Sequence, residues 1–435
     1  MVPSCVKTPA LSAIERHVVV VGAGPAGLAA TGEAQAAGAR VLLLEERPVL
    51  GGRAVLVPGA RGLTEGLMRS LGSAEVWRST PVWGIAGRSL AVLRAQRIET
   101  VTGAAIILAT GAPEVMMPFP GWTLSGVLTL EAAWDAVRAG RVTAESGPAV
   151  VVARGEHAAL ATRLAERGLT VTLVAPDRPN GVPAAIPVLP GVPAEARGPA
   201  AVEELLLDDG VSRPCRLLCV ESPRAPAVEL ARLAGSPCVY QPLLGGFVPR
   251  YDPTLAVHGP TAGLFVAGDA AGVDTPRAAA ESGRLAARAA LRLLGILEEP
   301  DVKMAEARQR LAAAASPLRH AAREALMLGA MPDDVIEEWA PRPDTTVCAC
   351  EGVRLDALRE AAVGGAVTPD ALAAQTRCGL GDCRWRRCGP PLVRWLSGFL
   401  QIPAGRVPLP SLWPPLRPLP LTALVRPDAQ DADRA

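Results

Sequence analysis

Short, uninterrupted apolar runs separated by small residues dominate the first third of the chain. That is the pattern of strands buried on both faces of a parallel sheet and of the helices that cross between them. Four valines at 18–21 predict the first strand. Gly22, Gly24 and Gly27 follow at once and open a helix whose small and apolar residues run to Gly38, a residue suited to ending it. A second strand is predicted over 41–44, short strands and turns over 76–108, and a proline- and glycine-rich loop over 118–129. The stretch AVVVARGEHAALATRLAERGLTVTLVAPD then repeats strand, helix, strand, residues 278–294 read as a helix, and 298–342 continue as an alanine-rich helical connector in which Met327, Met331 and Trp339 are packing residues. Pro369 and Asp370 mark the start of a further helix.

The first turn carries chemistry as well as shape. In Gly22-x-Gly24-x-x-Gly27 the first glycine permits the tight turn, the second lets backbone approach a pyrophosphate, and the third packs helix on strand. With Pro25 and Ala26 these residues place a helix N-terminus, with its amide donors and positive dipole, against an anionic ligand. Glu45, followed by Glu46, closes the second strand at the distance from which a carboxylate accepts hydrogen bonds from an adenosine ribose. Gly52 lets the chain pass near such a ligand and Arg53 can meet its phosphate or adenine.

Composition narrows the alternatives. The 435 residues allow two or three domains, and the net charge of +1 leaves no field that favours nucleic acid or an anionic membrane. No stretch approaches the ~20 apolar residues of a transmembrane helix, and the first residues lack the basic-then-apolar pattern of an export signal, so the expected compartment is the cytoplasm. Nine cysteines in such a chain point to ligation or redox chemistry rather than disulfides, and five of them lie between Cys348 and Cys388. Cys215, Cys219 and Cys238 lack ligand spacing and read as buried structural thiols. The four histidines, His17, His157, His258 and His320, are scattered, and no catalytic constellation is predicted.

Taken with Ala109-Thr110-Gly111 and with the run 264–269 ending in Gly268-Asp269, the glycine turn resembles the FAD domain of the two-dinucleotide-domain flavoprotein superfamily. The resemblance implies that Thr110 and Gly111 pass close to the flavin site, that Asp269 contacts the ribityl chain, and that the cofactor is FAD. It also implies an α/β fold of two Rossmann-like domains, the second inserted in the first. The expected boundaries are 1–145 and 251–300 for the FAD domain, with 146–250 inserted. In relatives the inserted domain often binds NAD(P)H, but here the glycine positions hold Ala153, Gly155 and Ala158, Glu156 sits at the helix start, and Asp177 arrives only after a proline. A kept fold without nicotinamide binding is expected.

Cys348-x-Cys350, a gap of 32 residues and Cys383-x4-Cys388, with Cys378 just before, suit either a [2Fe–2S] cluster or a structural zinc site. TVCACEGV followed by QTRCGLGDCRWRRCGP resembles the bacterioferritin-associated-ferredoxin-like (BFD-like) [2Fe–2S] module, placed at 343–400 after the connector at 301–342. The resemblance implies Cys348, Cys350, Cys383 and Cys388 as ligands and leaves Cys378 outside the set. With PFPGWTL and a tail containing LRPLPLTAL, nearly the whole chain resembles the larger subunit of heteromeric, dye-linked amine dehydrogenases of the opine oxidase, hydrogen cyanide synthase and proline dehydrogenase type. That implies an electron-transfer role beside a flavoprotein subunit related to D-amino-acid oxidase. A small ferredoxin-like subunit is a further candidate partner, and some relatives carry an extra FMN. A self-contained NAD(P)H-dependent reductase and a scaffold that has lost its cofactors are the alternatives. The proline-rich tail, 401–435, is expected to drape over this chain or a partner, and residues after Arg426 to be disordered.

Overall fold

In the computed structural model, residues 14–56, 59–298, 301–327, 335–337 and 339–424 are described; Met331 and the segment after Arg426 lie outside them. Strand β1 (Ile14–Val21) runs parallel to β2 (Val41–Leu44), and helix α1 (Pro25–Ala36) crosses between them. Helix α2 (Arg61–Arg69) and β3 (Glu75–Trp77) follow, and then β4 (Val82–Ala86), β5 (Ser89–Arg94) and the long β6 (Arg97–Leu108). The sheet order is β3-β2-β1-β6-β5-β4. Chain order reverses between β1 and β6, and the crevice beyond the carboxyl ends of the strands at such a switch is where open α/β sheets take ligands. Val18, Val19 and Val20 of β1 and Ile106 and Ile107 of β6 are fully buried, as apolar runs without alternation require.

The second sheet starts upstream of residue 146. Strand β7 (Val127–Thr129) leads into helix α3 (Leu130–Arg138) and pairs in parallel with a strand formed about 90 residues later. Next come β8 (Ala149–Val152), helix α4 (Ala159–Glu166), β9 (Val171–Val174) and β10 (Val188–Leu189). A small antiparallel sheet, β11 (Pro193–Arg197), β12 (Glu204–Leu207) and β13 (Ser212–Pro214), precedes β14 (Leu217–Val220). The order β10-β9-β8-β14-β7 is parallel throughout. The expected start at 146 is therefore corrected: three half-buried residues carry too little pattern to announce β7. The far boundary moves too, because helix α5 (Glu229–Leu233) packs Leu230 and Ala231 into the core beneath the first sheet.

After the hairpin β15 (Cys238–Gln241) and β16 (Gly246–Pro249), β17 (Leu264–Val266) rejoins the first sheet beside β6, and helix α6 (Pro276–Leu293) packs along α1. Helices α7 (Asp301–Ala314) and α8 (Pro317–Met327) add Met304, Leu311 and Leu326 to that same core, so the connector belongs to the first domain's helical layer. Arg323 of α8 is buried, paired with Asp274 and donating to the Gly272 carbonyl at 2.8 Å.

A separate small core holds the cysteine module: β18 (Thr346–Cys348), β19 (Val353–Arg354) and helices α9 (Leu355–Val363), α10 (Pro369–Thr376) and α11 (Gly389–Leu400). Thr368 caps α10 by accepting from the Ala371 amide. Residues 410–417 of the proline-rich tail lie on this chain. Pro410 accepts from Arg232 at 2.6 Å, Ser411 bonds Asp370, the Leu416 amide donates to Trp83 at 2.8 Å, and Arg417 pairs with Glu46 at 3.1 Å.

Candidate dinucleotide and cysteine site

The turn after β1 is held from both sides. Gly22 has φ +102°, and a Cβ there would lie 2.3 Å from the Ala109 carbonyl oxygen, so the turn and the Ala109-Thr110-Gly111 strand end touch backbone to backbone. No side chain caps α1, which leaves its N-terminus open to the cavity. Glu45 is buried; its Oε2 accepts from the Ala23 amide at 2.6 Å and its Oε1 from the Arg47 amide at 2.8 Å. Burial raises its pKa, opposed by those two hydrogen bonds. The acid thus sets the glycine turn while lining the same cavity. Thr110 donates to the Ala227 carbonyl, and the Gly268 amide donates to Ser282.

The remaining charged candidates have protein partners. Asp269 is paired with Arg224 at 2.8 Å, and Glu46 with Arg417. Arg53 lines the cavity, but its guanidinium bonds the Ala112 carbonyl at 2.9 Å, Glu131 at 2.9 Å and Glu114 at 3.3 Å. Arg47 joins Glu131 from the other side and pairs with Asp135. Burial raises the Glu131 pKa, with Arg53 and then Arg47 opposing it. Sequence reasoning missed this network. Its one signal was Glu131 in the first turn of α3, just after the capping Thr129.

The turn after β8 is occupied by protein groups. Glu221, just beyond β14, accepts from the Arg154 amide at 2.8 Å and meets the His157 ring at 2.8 Å. The Glu221 hydrogen bond raises the His157 pKa; burial opposes the change in Glu221, but the His157 and Arg154 hydrogen bonds hold it low. A carboxylate therefore occupies one amide of the turn at which a pyrophosphate would bind.

Among the cysteines, the sulfurs of Cys348, Cys378 and Cys388 lie within 4.8 Å of one another, all buried. Cys383 interacts with Cys388 and Cys350 beside that group of three. The convergence needs Gly381, where a Cβ would lie 2.3 Å from the Cys350 Cβ. Cys378, left outside the ligand set by the resemblance, is thus brought beside Cys348 and Cys388, because the left-handed Arg377 ends α10 and turns the chain inward. Hydrogen bonds from Cys378 and Cys388 hold Cys348 far below the usual thiol range, and Cys388 lowers Cys383 to about 5. The same contacts push Cys378 and Cys388 up, and burial pushes Cys350 up, so thiolate character is concentrated on Cys348 and Cys383. An all-sulfur donor set of this kind fits an iron–sulfur or zinc group. Of the other thiols, Cys215 and Cys219 are buried and Cys238 is half-buried; burial pushes Cys215 up to about 11 and Cys238 to about 12.

One cavity of about 1650 Å³ joins these parts. It exceeds the ~300–1,000 Å³ of ordinary ligand clefts. The glycine turn, Glu45, Thr110 and Asp269 line one side, and Cys350 and Cys383 reach it from the module. The fit to a dinucleotide rests on this volume, the open helix end and the Gly22 cradle. No helix among the described residues is long and apolar enough to cross a membrane.

Residues 16–178 match the family described as pyridine nucleotide-disulphide oxidoreductase. An opine oxidase subunit from Agrobacterium tumefaciens is 30% identical, the alignment covering 85% of this chain and 83% of that protein. Hydrogen cyanide synthase subunit HcnB of Pseudomonas protegens is 26% identical over 93% of this chain and 96% of its own length. Among solved structures, the L-proline dehydrogenase of P. horikoshii superposes with a TM-score of 0.74 at 21% identity, covering 95% of this chain and 80% of that one, which establishes the shared fold. With its dinucleotide-type turn and its converging cysteines, the chain belongs to the opine oxidase family of larger subunits of heteromeric amine dehydrogenases, and is an FAD-dependent oxidoreductase.

Proposed function

We propose that the chain is the electron-transfer subunit of a heteromeric amine or opine dehydrogenase, passing electrons from a partner flavoprotein subunit to an acceptor through FAD and a [2Fe–2S] cluster. The observation that carries this reading is the single cavity lined by both the glycine turn and two of the cysteines. When bound, FAD and the cluster supply the electron-carrying chemistry, and the protein supplies position and tuning. In this reading Glu45 holds the adenosine ribose, the Gly22 turn and the α1 N-terminus hold the pyrophosphate, and Asp269 faces the ribityl chain. Cys348, Cys350, Cys383 and Cys388 hold the cluster. The names of the relatives, opine oxidase and hydrogen cyanide synthase, suggest an amine substrate oxidised in the complex. The D-amino-acid-oxidase-like partner and a cytoplasmic location belong to this proposal.

Absorption and low-temperature EPR of the anaerobically purified chain, with iron, zinc and flavin analysis, test it. Flavin bands, about two irons per chain and a rhombic signal on reduction are expected. Zinc in place of iron would refute the electron-transfer role. The reductase alternative is disfavoured by Glu221 at the second turn; rapid bleaching of the flavin by NADH or NADPH would reinstate it.

A further inference from the structure

Arg386 stands where the cysteine module meets the nucleotide cavity. Its Nε donates to the Cys383 carbonyl at 3.0 Å, so its stem is fixed to the loop that carries a proposed cluster ligand. Its half-buried guanidinium lines the cavity, and among the described residues it meets no carboxylate in an ion pair. Two acids act on it from nearby, Glu229 and then Glu46; Glu46 is paired with Arg417, whose like charge acts on Arg386 more than either acid does. Val82, Leu230 and Leu416 line the same cavity and supply apolar wall. Leu416 precedes the Arg417 that pairs with Glu46, and its amide bonds Trp83 next to Val82, so this wall adjoins the acid that follows Glu45 after β2. A dinucleotide whose ribose is held by Glu45 places its purine past that residue. A flat, electron-rich ring between apolar walls and a planar cation is a stable arrangement, because guanidinium stacks on aromatic faces.

We propose that Arg386 takes the adenine end of the bound dinucleotide, so that the cysteine module both closes the nucleotide site and responds to its occupancy. This rests on the FAD and [2Fe–2S] reading above. The response follows from Arg386 being shared: a purine stacked on the guanidinium fixes the Nε hydrogen bond, and with it the Cys383 loop. Hydrogen bonding and loop position around the sulfurs are what set the properties of an iron–sulfur group. The coupling is reciprocal, so the state of the module changes nucleotide affinity by the same factor.

ADP, the adenosine half without a redox-active ring, is the probe. It is titrated by calorimetry into the full chain freed of flavin, and the reduced-state EPR spectrum is recorded with and without it. The wild-type chain binds ADP and its g-values shift, whereas FMN shifts nothing. Arg386→Gln weakens ADP roughly tenfold, the scale of one desolvated cation–π contact, and abolishes the shift. Arg386→Lys, which keeps the cation but has no Nε–H to give Cys383, recovers affinity without recovering the shift. Equal ADP affinity in wild type and Arg386→Gln, or no ADP binding by the wild type, overturns the adenine assignment. An unchanged wild-type spectrum at saturating ADP overturns the coupling. A chain without iron or flavin refutes the electron-transfer reading instead, and the calorimetry still decides the adenine contact.

Discussion

Glu45 shows how one side chain can be read from sequence for one role and carry another besides. Its place at the end of an apolar run marked it as a ribose acceptor, and the structure adds that its two oxygens hold the amides of Ala23 and Arg47. Glu45→Ala leaves the buried Ala23 amide unmet, at ~1–3 kcal/mol, and the half-buried Arg47 amide without its partner. A lower melting temperature even in flavin-free protein is therefore expected, measured by calorimetry, together with weaker flavin retention. His157 was legible only as a packed or surface residue, because its partner lies 64 positions away. Its raised pKa gives a pH signature. Stability from the Glu221 contact is complete below the unfolded imidazole value of about 6.5 and is lost as pH rises through the folded-state value. Glu221, held low, loses its share as pH falls through its own folded-state value. Melting curves of wild type and His157→Gln should therefore converge above neutrality and separate in mild acid, and added salt should shrink the gap because both groups are partly exposed. Cys378 was undecidable from spacing, since C-x4-C-x4-C offers two pairs with equal loops. What spacing could not show is the turn at Arg377, which brings Cys378 beside Cys348 and Cys388.

At the scale of elements, the first strand, turn and helix were plain because pattern, glycine spacing and the terminal acid all agreed. Gly22→Ala sets a Cβ against the Ala109 carbonyl in a backbone region hostile to side chains. We expect at least ~1–3 kcal/mol of destabilisation and loss of bound flavin, read by denaturant titration and by absorption of the purified variant. The second unit was legible as strand, helix, strand, but its true start was not. Strand β7 is three residues long and half-buried, and it earns its place by pairing with β14 rather than by any periodicity. The Arg53–Glu131–Glu114 group was equally silent, since it assembles from a short helical turn, the loop after β6 and a helix start that lie up to 78 positions apart.

In the whole molecule, long-range ties join parts that the sequence presented as separate. Arg323 holds α8 to the segment after β17 through a pair whose two side chains are 6% and 1% exposed. Arg323→Met leaves Asp274 buried and charged, and about 3–5 kcal/mol of stability should go with it; Asp274→Asn in the same chain should restore part, a double-mutant cycle in urea giving the coupling. Tail and cysteine module are tied to the first sheet in a similar way. Residues 410–417 touch α5, α10, the strand containing Trp83 and the acid after Glu45. Each of those partners precedes the tail in the chain. During synthesis on the ribosome the crevice therefore stays open until residue 417 has emerged, which gives the nascent protein an interval for loading its nucleotide before the strap is laid down. A protease that clips the strap should reverse that order, releasing nucleotide faster than it unfolds either sheet.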